Sequence, residues 1–434
     1  MAVFDPFAVP ISRSRPAAIS AATVRSCAIF ALSLAGAIVF ACWLHRSYPL
    51  GDWLFFDVAK IWLFELVLSA ACVTAGYAIV DRCLPAEPRD ELEALVLAFP
   101  VGLVAFVMGM FAGGLLRTYG PVFALALPAV LISGGVPAGV AALRRLRGRP
   151  SGLSGANQGL LSRAMVAAGI LGVGLLYLGV MSPAALNHDA AWNHLVVAQD
   201  YAREGRMVRF PGDWVKNLPH LGSVVNTWAF LVPGLREPQL RWMMALHSEF
   251  VVFLWTLAGI SVLGRWLVGR RGSKAWVAFL LFPAIFIYDN NMGGAADHFV
   301  ALFAAPLLLL TAKAAERFAR GPCLLWGLLA GGALLSKLQA VYLLGPLAAV
   351  IAVRVVILLT RRRRWWNRGD GPAPAGGLLL MAITATAVLA PHLLLNTLWF
   401  HNPVYPLWQD LFTGSRPTVT DAPMLVDTLF AAWP

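Results

Sequence analysis

Eleven apolar runs divide this chain, at residues 24–44, 60–80, 94–116, 121–143, 164–183, 244–268, 275–288, 298–314, 322–336, 340–360 and 376–396. A helix of ~20 apolar residues spans the ~30 Å hydrocarbon core of a bilayer. Inside lipid every backbone N–H and C=O must be satisfied within the segment, so runs of this kind must be helices. Composition points the same way. Of 434 residues, 59% are hydrophobic and only 13% charged, whereas a soluble domain is about half apolar and about a quarter charged. The sequence therefore predicts an all-α polytopic membrane protein with about 11 transmembrane helices, and the lipid bilayer as its first partner.

The net charge of +12 raises the question of nucleic acid. The placement of the charge answers it. With the N-terminus cytoplasmic, most Lys and Arg fall in loops on one side, including Arg144, Arg145, Arg147, Arg270, Arg271, Lys274 and Arg361 to Arg364. This is the positive-inside bias, and no nucleic-acid partner is expected. The run "RRRRWW", 361 to 366, reads as an inner-face anchor with interfacial tryptophans. The five cysteines fall in helices or on the cytoplasmic side, so no disulfide framework is expected. The first apolar run is of full length and reads as an uncleaved anchor.

Three regions follow. Residues 1–150 form an N-terminal four-helix membrane region. Residues 151–163 continue the basic, then Gly/Ser-rich stretch "RRLRGRPSGLSGANQG" and read as a cytoplasmic linker. Residues 164–434 form a second membrane region with a long outer loop, 184–241. A loop of that length is usually functional.

The loop opens on "NHDAAWNHL", which puts Asn187, His188, Asp189, Asn193 and His194 directly after an uncharged run. Asn187 suits an N-cap, and nothing breaks the helix before Gly205. At helical spacing Trp192, Leu195 and Val196 make an apolar edge, and Asp189, Asn193, Asp200 and Glu204 a polar one. Such an amphipathic helix can lie along the outer membrane surface. The turn-rich "RFPGDWVKNLPHLG" follows, with Trp214, Lys216 and His220 suited to a membrane-facing groove. Three more polar stretches fall on the same side: "YDNNMGGAADHF", "LLSKLQAVY" and "NTLWFHNPVYPLW".

Two roles are open to Asp189. A carboxylate just outside the membrane can take a proton from an acceptor hydroxyl or amine. An acid in a first helical turn can equally serve the orphan N–H groups and the macrodipole. Asp297 and His298 carry the same ambiguity. Asp189, Asp297 and His298 also offer O and N ligands for a divalent cation, although no metal-binding spacing joins them. Lys337 interrupts apolar sequence, either snorkelling at a helix end or presenting a point charge to a phosphate. His392 reads as a packed histidine.

The arrangement resembles the GT-C glycosyltransferases, membrane enzymes that take a sugar from a polyprenyl-phosphate carrier, in particular the protein O-mannosyltransferase and aminoarabinose-transferase type. "NHDAAWNHLVVAQDYAREGRMV" is similar to the opening of that family's first long outer loop. "AADHFVALFAAPLLLL" resembles its second acidic site. "GLLAGGALLSKLQAVYLL" resembles its glycine-rich helix ending in lysine, and "HNPVYPLW" its proline turn, with His401 in place of a common glycine. Five helices precede the acidic loop here, against one in archetypal members. The resemblance implies Asp189 and Asp297 as catalytic acids. It implies His188, Asn193, His194, Lys216, His220, Lys337, Trp192 and Trp214 as substrate contacts. The donor would be a polyprenyl-phosphate sugar, the acceptor a glycan, lipid or protein, and the place the outer face of a bacterial plasma membrane. Two other classes fit the sequence: a transporter or flippase of a lipid-linked glycan or amphiphilic solute, and a non-catalytic assembly subunit. A transporter would need polar residues spread through the membrane midplane on several helices.

Overall fold

A computed structural model describes residues 21–49, 52–84, 91–147, 160–182, 186, 189–235, 237–268, 292–294, 296–364 and 374–413. All regular structure among them is helical: α1 (Ala21–His45), α2 (Leu54–Cys83), α3 (Glu91–Leu115), α4 (Pro121–Arg147), α5 (Leu160–Val180), α6 (Leu195–Glu204), α7 (Leu221–Leu231), α8 (Pro238–Val268), α9 (Asp297–Arg317), α10 (Arg320–Ser336), α11 (Val341–Arg364), α12 (Pro374–Phe400) and α13 (Gln409–Thr413). Nine of these are long and apolar enough to cross a membrane. The apolar run 322–336 becomes α10, which at 17 residues falls just short of that group. The run 275–288 lies outside the described residues.

The chain forms two compact units, Met1–Lys60 and Ile61–Pro434. The first holds α1, whose Phe30, Leu32 and Val39 are exposed, as lipid-facing residues would be. Across the linker expected at residues 151–163, α3 packs against α7, α8, α9 and α10 of the later region. The reason is its composition: α3 is apolar on all sides and mostly buried, the mark of a central helix.

Small residues bring the helices close. Gly76 of α2 faces Ala98 of α3, and Gly102 of α3 faces Cys72 of α2; a Cβ at either glycine would sit 1.8 Å from the opposing carbonyl oxygen. The glycine-rich α10 uses the same device against α12. Gly327 lies on Met381 and Thr384, and Gly331 on Val388 and Ala385. In lipid such close backbone approach supplies the packing that the hydrophobic effect cannot.

Two ends of this unit differ in chemistry. At one, Arg145 donates to the Tyr77 hydroxyl (2.9 Å), Tyr77 donates to Glu91 (3.0 Å), and Lys313 pairs with Glu93 (3.2 Å). At the other, Tyr119 N–H donates to the Gly205 carbonyl (3.2 Å), Trp228 donates to the Ala124 carbonyl (2.8 Å) and Arg209 to the Trp399 carbonyl (3.1 Å). These bonds fasten α6, α7 and their loops over the second end. Gly205 stops α6 in the left-handed region (φ 67°), a geometry that favours glycine.

The expected surface helix differs in detail. Leu195, Val197, Ala198 and Tyr201 are buried, and α6 packs on α7. Its apolar side is thus spent on protein. Asn193, read on the polar edge, is only 5% exposed.

Candidate functional site

The helical turn that follows Asp189 is not an α turn. Residues Ala190–His194 form a π turn, closed by the Leu195 N–H donating to the Ala190 carbonyl. In an α-helix, side chains five positions apart point to different faces. The wider π turn brings Asp189 and His194 together, with His194 Nε2 3.4 Å from Asp189 Oδ2. Single π turns are frequent at functional sites. His194 Nδ1 lies 3.2 Å from Ser223 Oγ in the first turn of α7. With Nδ1 accepting from the serine, Nε2 carries the proton and donates it to Asp189.

The order Asp–His–Ser invites a hydrolase reading, and burial rejects it. Ser223 is 0% exposed, whereas the Asp189 side chain is 43% exposed. The accessible end of this chain is therefore the carboxylate. Its pKa lies below the ordinary carboxylate value. The hydrogen bond from His194 is the main cause, partial burial opposes it, and Asn193 and the charge of Lys337 assist. Asp189 is thus ionised at neutral pH.

Asp297 opens α9. Lys337 reaches both of its oxygens, at 2.9 Å and 3.2 Å. Lys337 can do so because α10 ends there: its backbone turns extended (φ −164°, ψ 140°) before the 3-10 turn Leu338–Ala340. Since Lys337 also acts electrostatically on Asp189, the structure brings Asp189, Asp297 and Lys337 to one neighbourhood.

His298, next to Asp297, turns inward instead. Its Nδ1 lies 2.5 Å from Glu249 Oε1 of α8, and the Gly294 N–H donates to Glu249 Oε2 at 2.7 Å. Gly294 has φ +88°, and a Cβ there would lie 2.9 Å from that of Ala190 in the π turn.

The remaining predicted residues spread around this centre. Lys216 pairs with Asp213 (3.1 Å) and lies over the rings of Trp192 (6.0 Å) and Phe210 (5.9 Å). Trp192 is 38% exposed, beside the acid. Trp214 caps the 3-10 turn Val215–Asn217, which packs against the π turn. His188 and Asn187 lie outside the described residues.

His220 was expected as a substrate contact in a membrane-facing groove. It is buried, 3.4 Å from the Tyr201 hydroxyl, and faces a small enclosed pocket with Asn217, His392 and Asn396. Burial, then the nearby His392 and His194, lower its pKa to about 3. A neutral, enclosed imidazole brings no charge to a phosphate. The metal expectation meets a similar finding. Among the described residues no three His, Cys, Asp or Glu side chains are grouped to hold a cation. Asp297 is drawn to Lys337 and His298 to Glu249.

Four polar residues were missed. Glu65, His247, Ser248 and Glu249 are each at most 1% exposed. Ser248 donates to Glu65 at 2.7 Å, and His247 lies 3.2 Å from the Tyr177 hydroxyl. "HSEF", 247 to 250, sits inside an apolar run, and intramembrane ionisable residues are a recognised signal of function. Their presence in α2 and α8 adds buried polar groups within apolar helices to the polar stretches read from the loops.

Comparison of the chain with family models, with curated proteins and with solved structures finds no match.

Proposed function

We propose that the protein is an integral membrane glycosyltransferase of the GT-C type, transferring a sugar from a polyprenyl-phosphate donor to an acceptor on the outer face of the plasma membrane. The observation that carries this reading is Lys337, which binds Asp297 and acts on Asp189 although the three lie far apart in sequence. One partly exposed cation, bonded to Asp297 and within electrostatic reach of Asp189, suits a reaction in which negative charge leaves while a proton is removed.

In the proposed step the acceptor oxygen attacks the anomeric carbon. The bond from that carbon to the phosphate oxygen breaks, and the polyprenyl phosphate departs with the electron pair. Lys337 supplies positive charge where the phosphate gains negative charge. Asp189 takes the acceptor proton. A carboxylate with a lowered pKa is a weak base, which suits a late proton transfer from an acceptor already bonding to carbon. Phosphate is a good leaving group, so positioning carries much of the work. Trp192, exposed beside Asp189, offers a stacking face for a sugar. The basic end of the unit, with Arg145 and Lys313, is then cytoplasmic by the positive-inside bias.

The test is transfer by purified protein in nanodiscs, using a panel of polyprenyl-phosphate sugars, with Asp189→Asn alongside. Transfer that needs Asp189 supports the reading.

A transporter or flippase is the second reading. The buried Glu65, His247, Ser248 and Glu249 within α2 and α8 favour it, since such groups often mark polar pathways. Movement of a lipid-linked glycan across liposomes without chemical change distinguishes it.

A further inference from the structure

Glu249 has no place in the chemistry above, yet its carboxylate joins the two halves of the site. It is 1% exposed, inside α8. Both oxygens are used: Oε1 meets His298 Nδ1, and Oε2 accepts from the Gly294 N–H. Those two partners flank Asp297 in sequence. Gly294 in turn rests on Ala190, which opens the π turn after Asp189, and on Leu195 at the start of α6. A single buried carboxylate thus spans the approach to Asp297 and presses that segment against the turn carrying the other acid.

We propose that Glu249 is a positioning residue, setting the register of Asp297 against Lys337 and the spacing of both from Asp189. A carboxylate suits this task because it accepts two hydrogen bonds in a fixed fork. Leaving its two donors unmet in a buried place would be costly, so the segment is held rather than merely touched. Gly294 completes the device. Its positive φ turns the N–H toward Glu249, and the missing Cβ admits the π turn.

The proposal rests on the glycosyltransferase reading only in its kinetic readout, so a second readout needs no substrate. Full-length protein in lipid nanodiscs is labelled with an amine-reactive reagent, and modification of Lys337 is followed by peptide mass spectrometry. Lys313, paired with Glu93 at the opposite end, is the internal reference. Asp297→Asn removes the ion pair directly and calibrates the response, about three- to fivefold for a pair of this exposure.

Glu249→Ala is expected to raise Lys337 labelling by a similar factor, with Lys313 unchanged. Glu249→Gln is expected to stay near wild type. Its amide accepts from Gly294 and donates to the other tautomer of His298, which preserves the fork without the charge. Gly294→Ala displaces the same segment without touching any charge, and should raise Lys337 labelling too. It serves as the deciding variant if Glu249→Ala raises Lys313 labelling as well, the sign of general unfolding. In the transfer assay, Glu249→Ala should lower kcat by about 10- to 100-fold with donor KM within about twofold, and Glu249→Gln should restore most of kcat. Unchanged Lys337 labelling in both Glu249→Ala and Gly294→Ala, while Asp297→Asn raises it, overturns the proposal. Absence of transfer by the wild type, with labelling that responds as expected, counts against the glycosyltransferase reading and upholds the positioning role.

Discussion

Lys337 holds Asp297 through both carboxylate oxygens, at 2.9 Å and 3.2 Å, from 40 positions further along the chain. The pair is partly exposed, with 28% of the lysine and 53% of the aspartate side chain accessible. An ion pair of this kind contributes only ~0–1 kcal/mol to stability, so its value must lie elsewhere. Lys337→Met is expected to leave the unfolding temperature almost unchanged. Transfer should fall by about 100- to 1,000-fold, the size seen when a group facing developing charge is removed. Thermal unfolding and initial rates on the same preparation check both halves.

His194 governs the ionisation of Asp189. Its hydrogen bond is the largest cause of the lowered pKa. The ionised form therefore persists above that lowered value and is lost as pH falls through it. In His194→Ala the pKa of Asp189 should rise toward the ordinary carboxylate value. The acid limb of the pH–rate profile should then move to higher pH, while the rate at pH 8 changes less than the rate at pH 5. A profile whose acid limb stays in place would separate His194 from Asp189.

His220 makes stability depend on pH in a defined direction. Its pKa is lowered from 6.5 to about 3, chiefly by burial. Above pH 6.5 neither the folded nor the unfolded state holds the proton, and the full stability is present. Below it the unfolded state takes a proton that the folded state refuses. Stability should fall as pH drops from 6.5 toward 3, by up to ~1.4 kcal/mol per pH unit. His220→Gln should flatten that part of the unfolding curve. Denaturation in mild detergent between pH 4 and 7 measures it.

The contact of α2 with α3 leaves no room for a side chain. A Cβ at Gly102 would lie 1.8 Å from the carbonyl oxygen of Cys72, which is backbone and cannot turn aside. Gly102→Leu is expected to cost at least ~2 kcal/mol and to lower the yield of folded protein. Gly134→Leu, in α4, meets nothing within 4 Å and should be tolerated. Parallel thermal-shift measurements compare the two.

Much of the fold was legible because lipid narrows the choices. Long apolar runs gave the positions of α1 to α5, α8, α9, α11 and α12, since only helices satisfy the backbone there. The long stretch between α5 and α8 was legible for the same reason. What the runs could not reveal was depth and contact. α3 reads like its neighbours in sequence, yet it is the central helix of its unit, because burial among helices and exposure to lipid select the same residue types. Glu249 was overlooked because one acid barely lowers the hydropathy of a 31-residue helix. The pairing of Asp189 with His194 was invisible for a geometric reason: five-residue spacing signifies nothing in an α-helix and becomes contact only in the π turn. Lys337 stood out by contrast, as a lone cation in apolar sequence, and the break in α10 that aims it lies at that same residue.

The central claim is that Asp189 removes the acceptor proton in sugar transfer from a polyprenyl phosphate. The most direct measurement is single-turnover transfer by Asp189→Asn in nanodiscs, beside donor binding by the same variant. Asparagine keeps the shape and loses the charge. Donor binding within about threefold of wild type, with transfer reduced by at least about 100-fold, is the predicted result. Wild-type transfer by Asp189→Asn would contradict it.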